Sequence, residues 1–415
     1  MGSFWPLLLI PFVVDIYWTC YIPWTWWRNI ENGFLREVMS WVDAIVFATL
    51  AVWVLQNFFF QNFQIPTTSL EKTMLAGDYL CVAKYEYGPR KPITPLSLPV
   101  FQHTIDVFGM NFGKSYTDII QCDYERMPGL RDVKRGDIVV FNYPLDDDSR
   151  PVDRRENYVK RCIGLPGETL QIIDRQVYID GAAIVNPEQM QSRYYVYTNG
   201  PAISTAFWKS LGVYTRGNNE QLGRDIDELQ VAPAASFFGI EPDSITGQYN
   251  HLYTVIMTAE KAAVVANRKD VAWVCLEPLE LESYAGVFPN DPAFRWKANS
   301  FGPLWIPKAG AQVELSPENV ALYGRCIRTY EGNTLTQNAQ GQYILNGEVA
   351  SNYTFKMNYY WMMGDNRDNS LDSRYWGFVP EDHIVGTPIF IWMSIDQETG
   401  EFRWDRFFKG VTGIK

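Results

Sequence analysis

Histidine and positive charge are both scarce in this sequence. The 415 residues include three histidines, His103, His251 and His383, and none lies in a recognisable catalytic motif. Chemistry that depends on a histidine base therefore has few candidates. Lys and Arg number 36 against 47 Asp and Glu, which gives a formal net charge of −11. General nucleic-acid binding needs a basic face, so no nucleic-acid partner is expected.

The sequence also lacks the cysteine spacing of a common metal site. Its six cysteines form no C-x-x-C pair, so no zinc site is expected, and no other metal or cofactor is predicted. Cys162 and Cys326 occupy equivalent places in two similar segments, and an oxidising exterior would permit a bridge between them. A bridge also requires their Cα atoms to come within reach. We predict free, buried thiols.

Long apolar runs occur only at the amino-terminal end. Phe4–Trp27 and Trp41–Phe60 are each long enough to cross a bilayer, which takes about 20 residues. Tryptophans at the end of the first run fit the interfacial belt. No basic segment precedes the first run and no small-residue site follows it, which argues against a cleaved signal peptide. Two transmembrane helices are predicted within residues 1–62.

The arginines between the two runs predict the orientation of these helices. Arg28 and Arg36 put the short connecting loop in the cytoplasm and both chain ends outside. Asp15 interrupts the first run, and we expect it to pair with a polar group of the second helix. The alternative is that the first run only lies on the membrane surface.

The rest of the chain is predicted to be mainly β. Short apolar runs bounded by Gly and Pro indicate strands at 79–83, 137–141, 176–179, 342–345 and 388–392. Helical periodicity is rare, and the best candidate is Thr258–Arg268 with Thr258 as N-cap. The predicted organisation is a catalytic core in two parts, 63–185 and 323–415, with an inserted domain at 186–322.

An internal similarity suggests a repeated unit. Lys160-Arg161-Cys162-Ile163 and the hairpin pattern after it recur as Gly324-Arg325-Cys326-Ile327 with a second hairpin pattern. We interpret both copies as a strand-turn-strand unit. Because Gly324 matches Lys160, the scaffold does not need the lysine, which favours a chemical role for it.

Gly364–Arg374 is the most polar run between two apolar segments. It contains three Asp, two Arg, two Asn and two Ser, with Leu371 as its one large apolar side chain. Buried polar groups must be hydrogen-bonded, so this run predicts a connected polar network that supports a site. A calcium loop fits poorly, because the sharp-turn position lacks Gly and two arginines would repel the cation.

A serine and a lysine together suggest hydrolytic chemistry. Thr68-Ser69-Leu70-Glu71 by itself fits a helix capping box. Serine hydrolysis needs a base, however, and a buried lysine can serve if burial lowers its pKa. Lys160 has apolar neighbours that could remove it from water, and Ser370 could orient its amine. A Ser69–Lys160 dyad is therefore a specific possibility.

The chain resembles the bacterial type I signal peptidases, which are membrane-bound Ser-Lys serine proteases. The resemblance rests on Phe63–Pro66 with Ser69, on Arg135–Phe141, on Tyr158–Arg161 and on Gly364–Arg374. It covers the membrane spans, about 63–180 and about 323–395, but not the insertion or Pro89–Arg131. It implies a signal-peptidase-like β fold, with the inserted second domain, on two transmembrane helices.

The resemblance also implies roles for particular residues. Ser69 would be the nucleophile, Lys160 the general base, and Thr67 a hydroxyl donor in the oxyanion hole. Ser370 would position the lysine amine, while Asp372 and Arg374 would hold the network. Residues expected to bind substrate are Phe63, Gln64, Ile65, Pro66, Leu70, Met74, Tyr158 and Val159. Lys72 is a rival amine, which we expect in a solvated turn.

The implied function is removal of signal peptides from pre-proteins after small residues, at Ala-x-Ala-like sites, through an acyl-enzyme. Expected partners are these precursors and the lipid bilayer, and the resemblance also admits the secretion machinery; a monomer is expected. The implied location is the bacterial inner membrane, multi-pass, with the catalytic domain on the periplasmic side. Two alternatives are a self-cleaving repressor and a membrane-anchored binding protein with a decayed protease domain.

One further hypothesis concerns an apolar group late in the insertion. Trp296, Phe301, Leu304 and Trp305 are candidates to dip the ectodomain into the membrane surface. The alternative is an ordinary core strand and loop.

Overall fold

The computed structural model describes residues 11, 14–213, 225–244, 246–397 and 399–411. The α-helices in these ranges are α1 Gly33–Val54, α2 Thr205–Ser210, α3 Val231–Phe238, α4 Ala259–Ala266, α5 Pro317–Arg325 and α6 Ser373–Trp376. Short helical turns add Asp15–Thr19, Trp26–Asn29, Leu55–Phe59, Val152–Arg154, Leu279–Leu281, Cys326–Tyr330, Glu381–His383 and Trp404–Arg406.

Strands make up most of the regular structure. Before the insertion they are β1 Phe60–Gln64, β2 Asp78–Ala83, β3 Thr104–Val107, β4 Met110–Lys114, β5 Ile138–Asn142, β6 Asn157–Gly164, β7 Thr169–Ile173, β8 Gln176–Ile179 and β9 Ala182–Ala183. Next come β10 Gln191–Thr198, β11 Ile226–Leu229, β12 Leu252–Thr258, β13 Val271–Leu276, β14 Phe301–Trp305 and β15 Gln312–Glu314. The last are β16 Leu335–Gln337, β17 Tyr343–Leu345, β18 Glu348–Val349, β19 Asn352–Thr354, β20 Tyr359–Met363, β21 Val379–Pro380, β22 Ile384–Ser394 and β23 Lys409–Gly410. The mainly β prediction is confirmed.

One helix in the described residues is long and apolar enough to cross a membrane. Gly33–Phe59 spans 27 residues with a mean hydropathy of 2.0, and none of its apolar window is buried by protein. The helix begins before the predicted Trp41 because the Asn32 side chain accepts hydrogen bonds from the backbone N–H groups of Phe34 and Leu35. Much of the other predicted span, Phe4–Trp27, lies outside the described residues.

Asp15 does not pair with the second helix, so that expectation is wrong. The chain turns back at Cys20, which has a left-handed φ of 47°. The turn brings the backbone N–H groups of Tyr21 and Ile22 and the indole N–H of Trp24 to the Asp15 carboxylate. Local donors therefore satisfy this carboxylate.

An eight-stranded sheet forms the centre of the ectodomain. Its path is β1-β2-β22-β5-β6-β20-β21, with β23 added beside β22. The predicted strands at 79–83, 137–141 and 388–392 lie in this sheet. Although β1 and β6 are separated along the path, residues from both line one cleft, so the sheet curls. The curl brings the segment after β1 close to β6.

A second sheet, β14-β7-β8-β9, packs on the first through a large aromatic core. Phe301 and Leu304 are fully buried there, and Trp296 and Trp305 pack against the same cluster. The Trp305 indole also donates to the Gly167 carbonyl at 3.2 Å. The membrane-dipping hypothesis is therefore wrong, because Phe301 and Leu304 belong to a protein core and the partly buried Trp296 and Trp305 pack against that core.

The predicted insertion contains a sheet of its own. Strands β11, β12, β10 and β13 form, in this order, a four-stranded antiparallel sheet with its own hydrophobic cluster. Helix α4 covers this sheet, and the Thr258 side chain caps it as predicted. By contrast, β14 pairs with β7 of the catalytic core. We propose that the inserted domain ends before β14 and is narrower than 186–322.

The two similar sequence segments do not share one structure. Lys160–Ile163 lies in β6, whereas Gly324–Ile327 lies in α5 and the turn after it. Ser316 caps that helix and Pro317 occupies its first turn, both of which favour helix. Only the hairpins that follow, β7–β8 and β16–β17, correspond. The repeated strand-turn-strand interpretation is therefore wrong for its first part, and it gives no support to a role for Lys160.

The prediction of free, buried thiols is confirmed for the pair in these segments. Cys162 and Cys326 are both buried and neither is in a disulfide. Burial raises the pKa of both thiols, so they are held in the protonated, unreactive form.

Candidate active site

Ser69 lies in the connection between β1 and β2. Both ends of this connection are tied together, since Ile65 and Asp78 share a backbone hydrogen bond of 2.8 Å, as do Gly77 and Ile65. The predicted capping box does not form a helix; the segment makes tight turns instead. Among the described residues, the Ser69 backbone N–H has no hydrogen-bond acceptor. The connection thus presents a hydroxyl beside an available donor.

Lys160 lies in β6, opposite Val139 of β5. Its amine nitrogen is 2.7 Å from Ser69 Oγ and 3.1 Å from the Val159 carbonyl oxygen. The residue is 3% exposed. Burial lowers the pKa of the Lys160 amine to about 8, although the Asp372 and Asp365 carboxylates act in the opposite direction. The amine is therefore buried, close to a hydroxyl, and easily deprotonated.

The polar network predicted at Gly364–Arg374 is present. The buried Arg374 guanidinium binds both carboxylate oxygens of Asp372, at 2.9 and 2.8 Å. Asp372 also accepts from the Gly364 N–H at 3.0 Å. Opposite charge and these bonds lower the pKa of Asp372, although burial raises it. The network stays charged and rigid beside Ser69.

The same loop binds the backbone of the segment that carries Ser69. Asn366 donates from its backbone N–H to the Ser69 carbonyl at 3.1 Å and from its side chain to the Thr68 carbonyl at 3.2 Å. Gly364 allows this close approach, because a Cβ there would lie 2.5 Å from the Ser69 carbonyl oxygen. A larger residue at 364 would displace the nucleophile segment.

The other two predicted hydroxyls lie beside Ser69. Thr67 Oγ1 is 3.4 Å from Ser69 Oγ. Ser370 is buried near Gly364, and its hydroxyl has no hydrogen-bond partner among the described residues. The expected bond from Ser370 to the Lys160 amine is therefore not formed in this structure.

A cleft of about 230 Å³ leads to Ser69 and Lys160. One wall comes from β1 and the residues after it, and the other from β6. Six of the predicted substrate residues line it: Phe63, Gln64, Ile65, Pro66, Tyr158 and Val159. Both walls expose strand edges that are free among the described residues, because there β1 pairs only with β2 and the ladder from β20 covers β6 only from Arg161 onward.

A family model described as signal peptidase, peptidase S26, matches residues 38–230 and 306–393. The chain belongs to the peptidase S26 family of signal peptidases. It is a serine endopeptidase, and the family resemblance inferred from the sequence is confirmed. The largest unmatched stretch, residues 231–305, lies within the predicted insertion, 186–322.

Individual signal peptidases are similar over most of the chain. Signal peptidase I of Buchnera aphidicola subsp. Acyrthosiphon pisum (strain APS) is 27% identical over 373 residues, which is 90% of this chain and 79% of the relative. Signal peptidase I of Haemophilus influenzae is 23% identical over 381 residues, 91% of this chain and 77% of the relative. The self-cleaving repressor alternative is set aside, because these matches place the chain among signal peptidases.

Two predicted substrate residues are not in the cleft of this signal peptidase. Leu70 and Met74 are 1% and 0% exposed and pack in the core with Leu80 and Val140. The turn after Ser69 directs both side chains inward. Their expected place in a substrate pocket is corrected to a place beneath the nucleophile segment.

Lys72 is not in a solvated turn, so that expectation is also wrong. Its amine lies 2.8 Å from the Gly212 carbonyl oxygen of the insertion and 3.1 Å from a Glu71 carboxylate oxygen. Its backbone has a left-handed φ of 75°, which turns the side chain toward the insertion. Lys72 thus links the serine segment to the inserted domain.

Sequence reasoning missed a second ion pair in the signal peptidase site. The Arg161 guanidinium binds both Asp365 oxygens, at 2.8 and 2.7 Å, and Thr73 donates to the same carboxylate at 2.7 Å. This pair joins β6, the serine segment and the polar loop. The adjacency of Arg161 to Lys160 and of Asp365 to Gly364 was the available signal.

Proposed function

We propose that this protein removes signal peptides from exported pre-proteins by a Ser69–Lys160 dyad, through an acyl-enzyme, with cleavage after small residues. The observation that supports it most is the 2.7 Å separation of the Lys160 amine nitrogen from Ser69 Oγ inside a water-poor site. The acyl-enzyme would be detected directly as a mass increase on Ser69 after rapid mixing with a model precursor.

In the first step, the neutral Lys160 amine accepts the Ser69 hydroxyl proton as Oγ attacks the scissile carbonyl carbon. The resulting oxyanion takes hydrogen bonds from the Ser69 backbone N–H and from the Thr67 hydroxyl. Lys160 then returns the proton to the leaving amine. Water then attacks the acyl carbonyl carbon while Lys160 accepts a proton from it. As the bond from the acyl carbon to Ser69 Oγ breaks, Lys160 gives that proton to Oγ, which restores Ser69 and releases the new carboxyl terminus.

The precursor would bind as an extended strand between β1 and β6. Main-chain hydrogen bonds to two free strand edges supply affinity without selecting sequence, while side chains fill the cleft at alternate positions. Ile65, Tyr158 and Val159 make these positions shallow. Small residues at the first and third positions before the cut fit such a cleft.

The proposed location follows from the membrane helix. Arg28 and Arg36 lie before or near the start of α1, so we place that end in the cytoplasm and the β domain on the periplasmic side, multi-pass if the first apolar run also spans. The bilayer and the precursors remain the proposed partners, and a monomer and contact with the secretion machinery remain predictions.

Cleavage specificity tests the cleft. Replacing the alanine just before the cut of a model precursor by leucine should lower kcat/KM by roughly 100-fold or more, because the shallow cleft cannot admit it. Val159→Ala should recover part of that loss. A precursor changed to leucine two residues before the cut, where the side chain points away from the cleft, is the matched control. Equal cleavage of the alanine and leucine precursors would contradict the proposed cleft.

The pH dependence tests the base. Since only the neutral amine accepts a proton and the pKa of Lys160 is lowered to about 8, kcat/KM should rise with pH and level off above that value. Below it, activity should fall about tenfold per pH unit. Steady-state cleavage from pH 6 to 10 measures this limb. A flat profile across that range would rule out a lysine base.

A further inference from the structure

A cationic cavity lies where the membrane helix meets the β domain, and Asn157 lines both this cavity and the proposed substrate cleft. The charged lining of the cavity comprises Lys84, Arg90, Lys91 and Arg154 against one carboxylate, Asp153. Trp53, Gln56 and Asn57 at the end of the membrane helix complete the wall. A cavity with this excess of positive charge favours an anion.

Lys84 and Arg90 are the cations of this lining that form no direct ion pair with a described residue, although the Asp153 carboxylate acts on Lys84 from a distance. The Lys84 ammonium makes no hydrogen bond or ion pair to any described residue, whereas Lys91 pairs with Glu125 and Arg154 lies 3.7 Å from Asp153. Burial, together with the like charges of Arg90 and Arg154, lowers the pKa of Lys84 to about 7. Such a group gains from a bound anion, which would restore its charged form.

Neutral groups hold Arg90 and Arg154 so that they face the cavity. The Arg90 guanidinium donates to the Asn142 amide oxygen at 2.7 Å. Arg154 donates to Thr94 Oγ1 at 2.6 Å and to Ser97 Oγ at 2.7 Å. Two fixed guanidinium groups beside a lysine match the geometry of phosphate recognition.

An apolar groove adjoins the cationic cavity. It runs between Leu50 of the membrane helix and the exposed side chains of Leu96 and Leu98. Cavity and groove share the walls formed by Trp53, Ser97, Leu98 and Pro99. The shared walls create one continuous site with a cationic end and an apolar end. A ligand that satisfies both ends has an anionic head and a hydrocarbon tail.

The loop that carries this groove is fixed to the membrane helix. Val100 donates its backbone N–H to Gln56 Oε1 at 2.9 Å. Beyond it, the β3–β4 hairpin has three apolar side chains that the protein leaves exposed, Phe108, Met110 and Phe112. An exposed apolar group next to a membrane-spanning helix indicates contact with the bilayer that the helix crosses.

We propose that this site binds one anionic phospholipid, with its phosphate at Lys84, Arg90 and Arg154 and an acyl chain in the groove beside Leu50 and Leu98. The site lies near the start of β1, the strand that leads to the proposed cleft, so a bound lipid would hold the cleft at a fixed height above the bilayer. The inference does not depend on the catalytic roles of Ser69 and Lys160.

The test titrates the full chain in neutral detergent with phosphatidylglycerol, phosphatidylcholine or inorganic phosphate, and counts bound molecules by native mass spectrometry. We expect one phosphatidylglycerol to bind about tenfold more tightly than phosphatidylcholine, and Lys84→Gln to remove that preference. Leu96→Asn, at a groove position outside the cationic cavity, should weaken phosphatidylglycerol binding and leave phosphate binding unchanged. Lys269→Gln, at an exposed position in the insertion, is the matched control and should change nothing.

Three results would overturn the assignment. Equal binding of the two lipids would show that the site does not distinguish an anionic headgroup from a zwitterionic one. An unchanged preference in Lys84→Gln would place the lipid elsewhere. If phosphate displaces phosphatidylglycerol at equal concentration and Leu96→Asn affects neither, the site takes a small anion and the lipid assignment fails. Both variants retain Ser69 and Lys160, so cleavage in lipid-free detergent reports separately that the chain is folded.

Discussion

Ser69→Ala should abolish precursor processing while the protein remains folded. The substitution removes the oxygen that attacks the scissile carbonyl, and among the described residues no other hydroxyl lies within hydrogen-bond distance of the Lys160 amine. We expect a loss on the order of 10³-fold or more in kcat, by analogy with nucleophile deletions in other serine hydrolases. Cleavage of a labelled precursor by purified enzyme in detergent micelles measures it.

The structural cost of this change should be small. Alanine removes one hydrogen-bond partner of the buried Lys160 amine, which keeps the Val159 carbonyl, so the free energy of unfolding should fall by about 1 kcal/mol. Thermal unfolding checks this. Ser149→Ala, in an exposed turn where the hydroxyl bonds only to Asp147, is the matched control and should keep full activity. Processing by Ser69→Ala near the parental rate would remove Ser69 from the mechanism.

Part of this fold could be predicted because its signals are local. The runs 79–83, 137–141 and 388–392 form strands because alternating or continuous apolar residues between turns have few other stable arrangements. Gly364–Arg374 could be predicted as a network because so many charged groups between two buried strands must pair with one another. Arg374 bonds to Asp372 only two residues away.

Other features depend on long-range geometry and could not be read from the sequence. The direction of Leu70 and Lys72 is set by the turn after Ser69, where the positive φ of Lys72 reverses the chain. The sequence similarity around Cys162 and Cys326 was overridden by the helix cap at Ser316. Trp305 is an apolar residue that suits either a membrane surface or a core, and only its packing against Tyr323 and Phe355 distinguishes the two.

The residues of the candidate site could be predicted from the sequence, but the distances between them could not. Ser69 and Lys160 were chosen from chemistry and resemblance, and their separation in the sequence gave no distance. The structure brings them together because the sheet curls and because the Arg161–Asp365 pair holds β6 against the polar loop. The Ser370 hydroxyl is an example of a contact that the sequence did not predict correctly, since it lies in the site without the expected hydrogen bond to the lysine amine.

Lys160→Met should reduce processing as severely as Ser69→Ala, and Lys72→Met should not. Methionine fills the space of the lysine side chain without an amine, so it removes the base with little change in packing. At pH 8 we expect a loss on the order of 10³-fold in kcat/KM for Lys160→Met. The pH-dependent limb near 8 should disappear from any residual activity. Cleavage rates across pH, measured for both variants, provide the comparison.

Lys72→Met is the matched control because it removes an amine only three residues from the nucleophile. It leaves the buried Glu71 without its ion-pair partner, so the protein should lose about 1–3 kcal/mol of stability. Burial already raises the pKa of Glu71, and the carboxyl can take up a proton instead of remaining charged, which limits the loss. At a temperature where both variants are folded, Lys72→Met should retain most of its activity and the same pH limb. Suppose instead that Lys72→Met loses the pH-dependent fall of activity near pH 8 while Lys160→Met keeps it. In that case Lys72, in the segment that contacts the insertion, is the base and Lys160 is not.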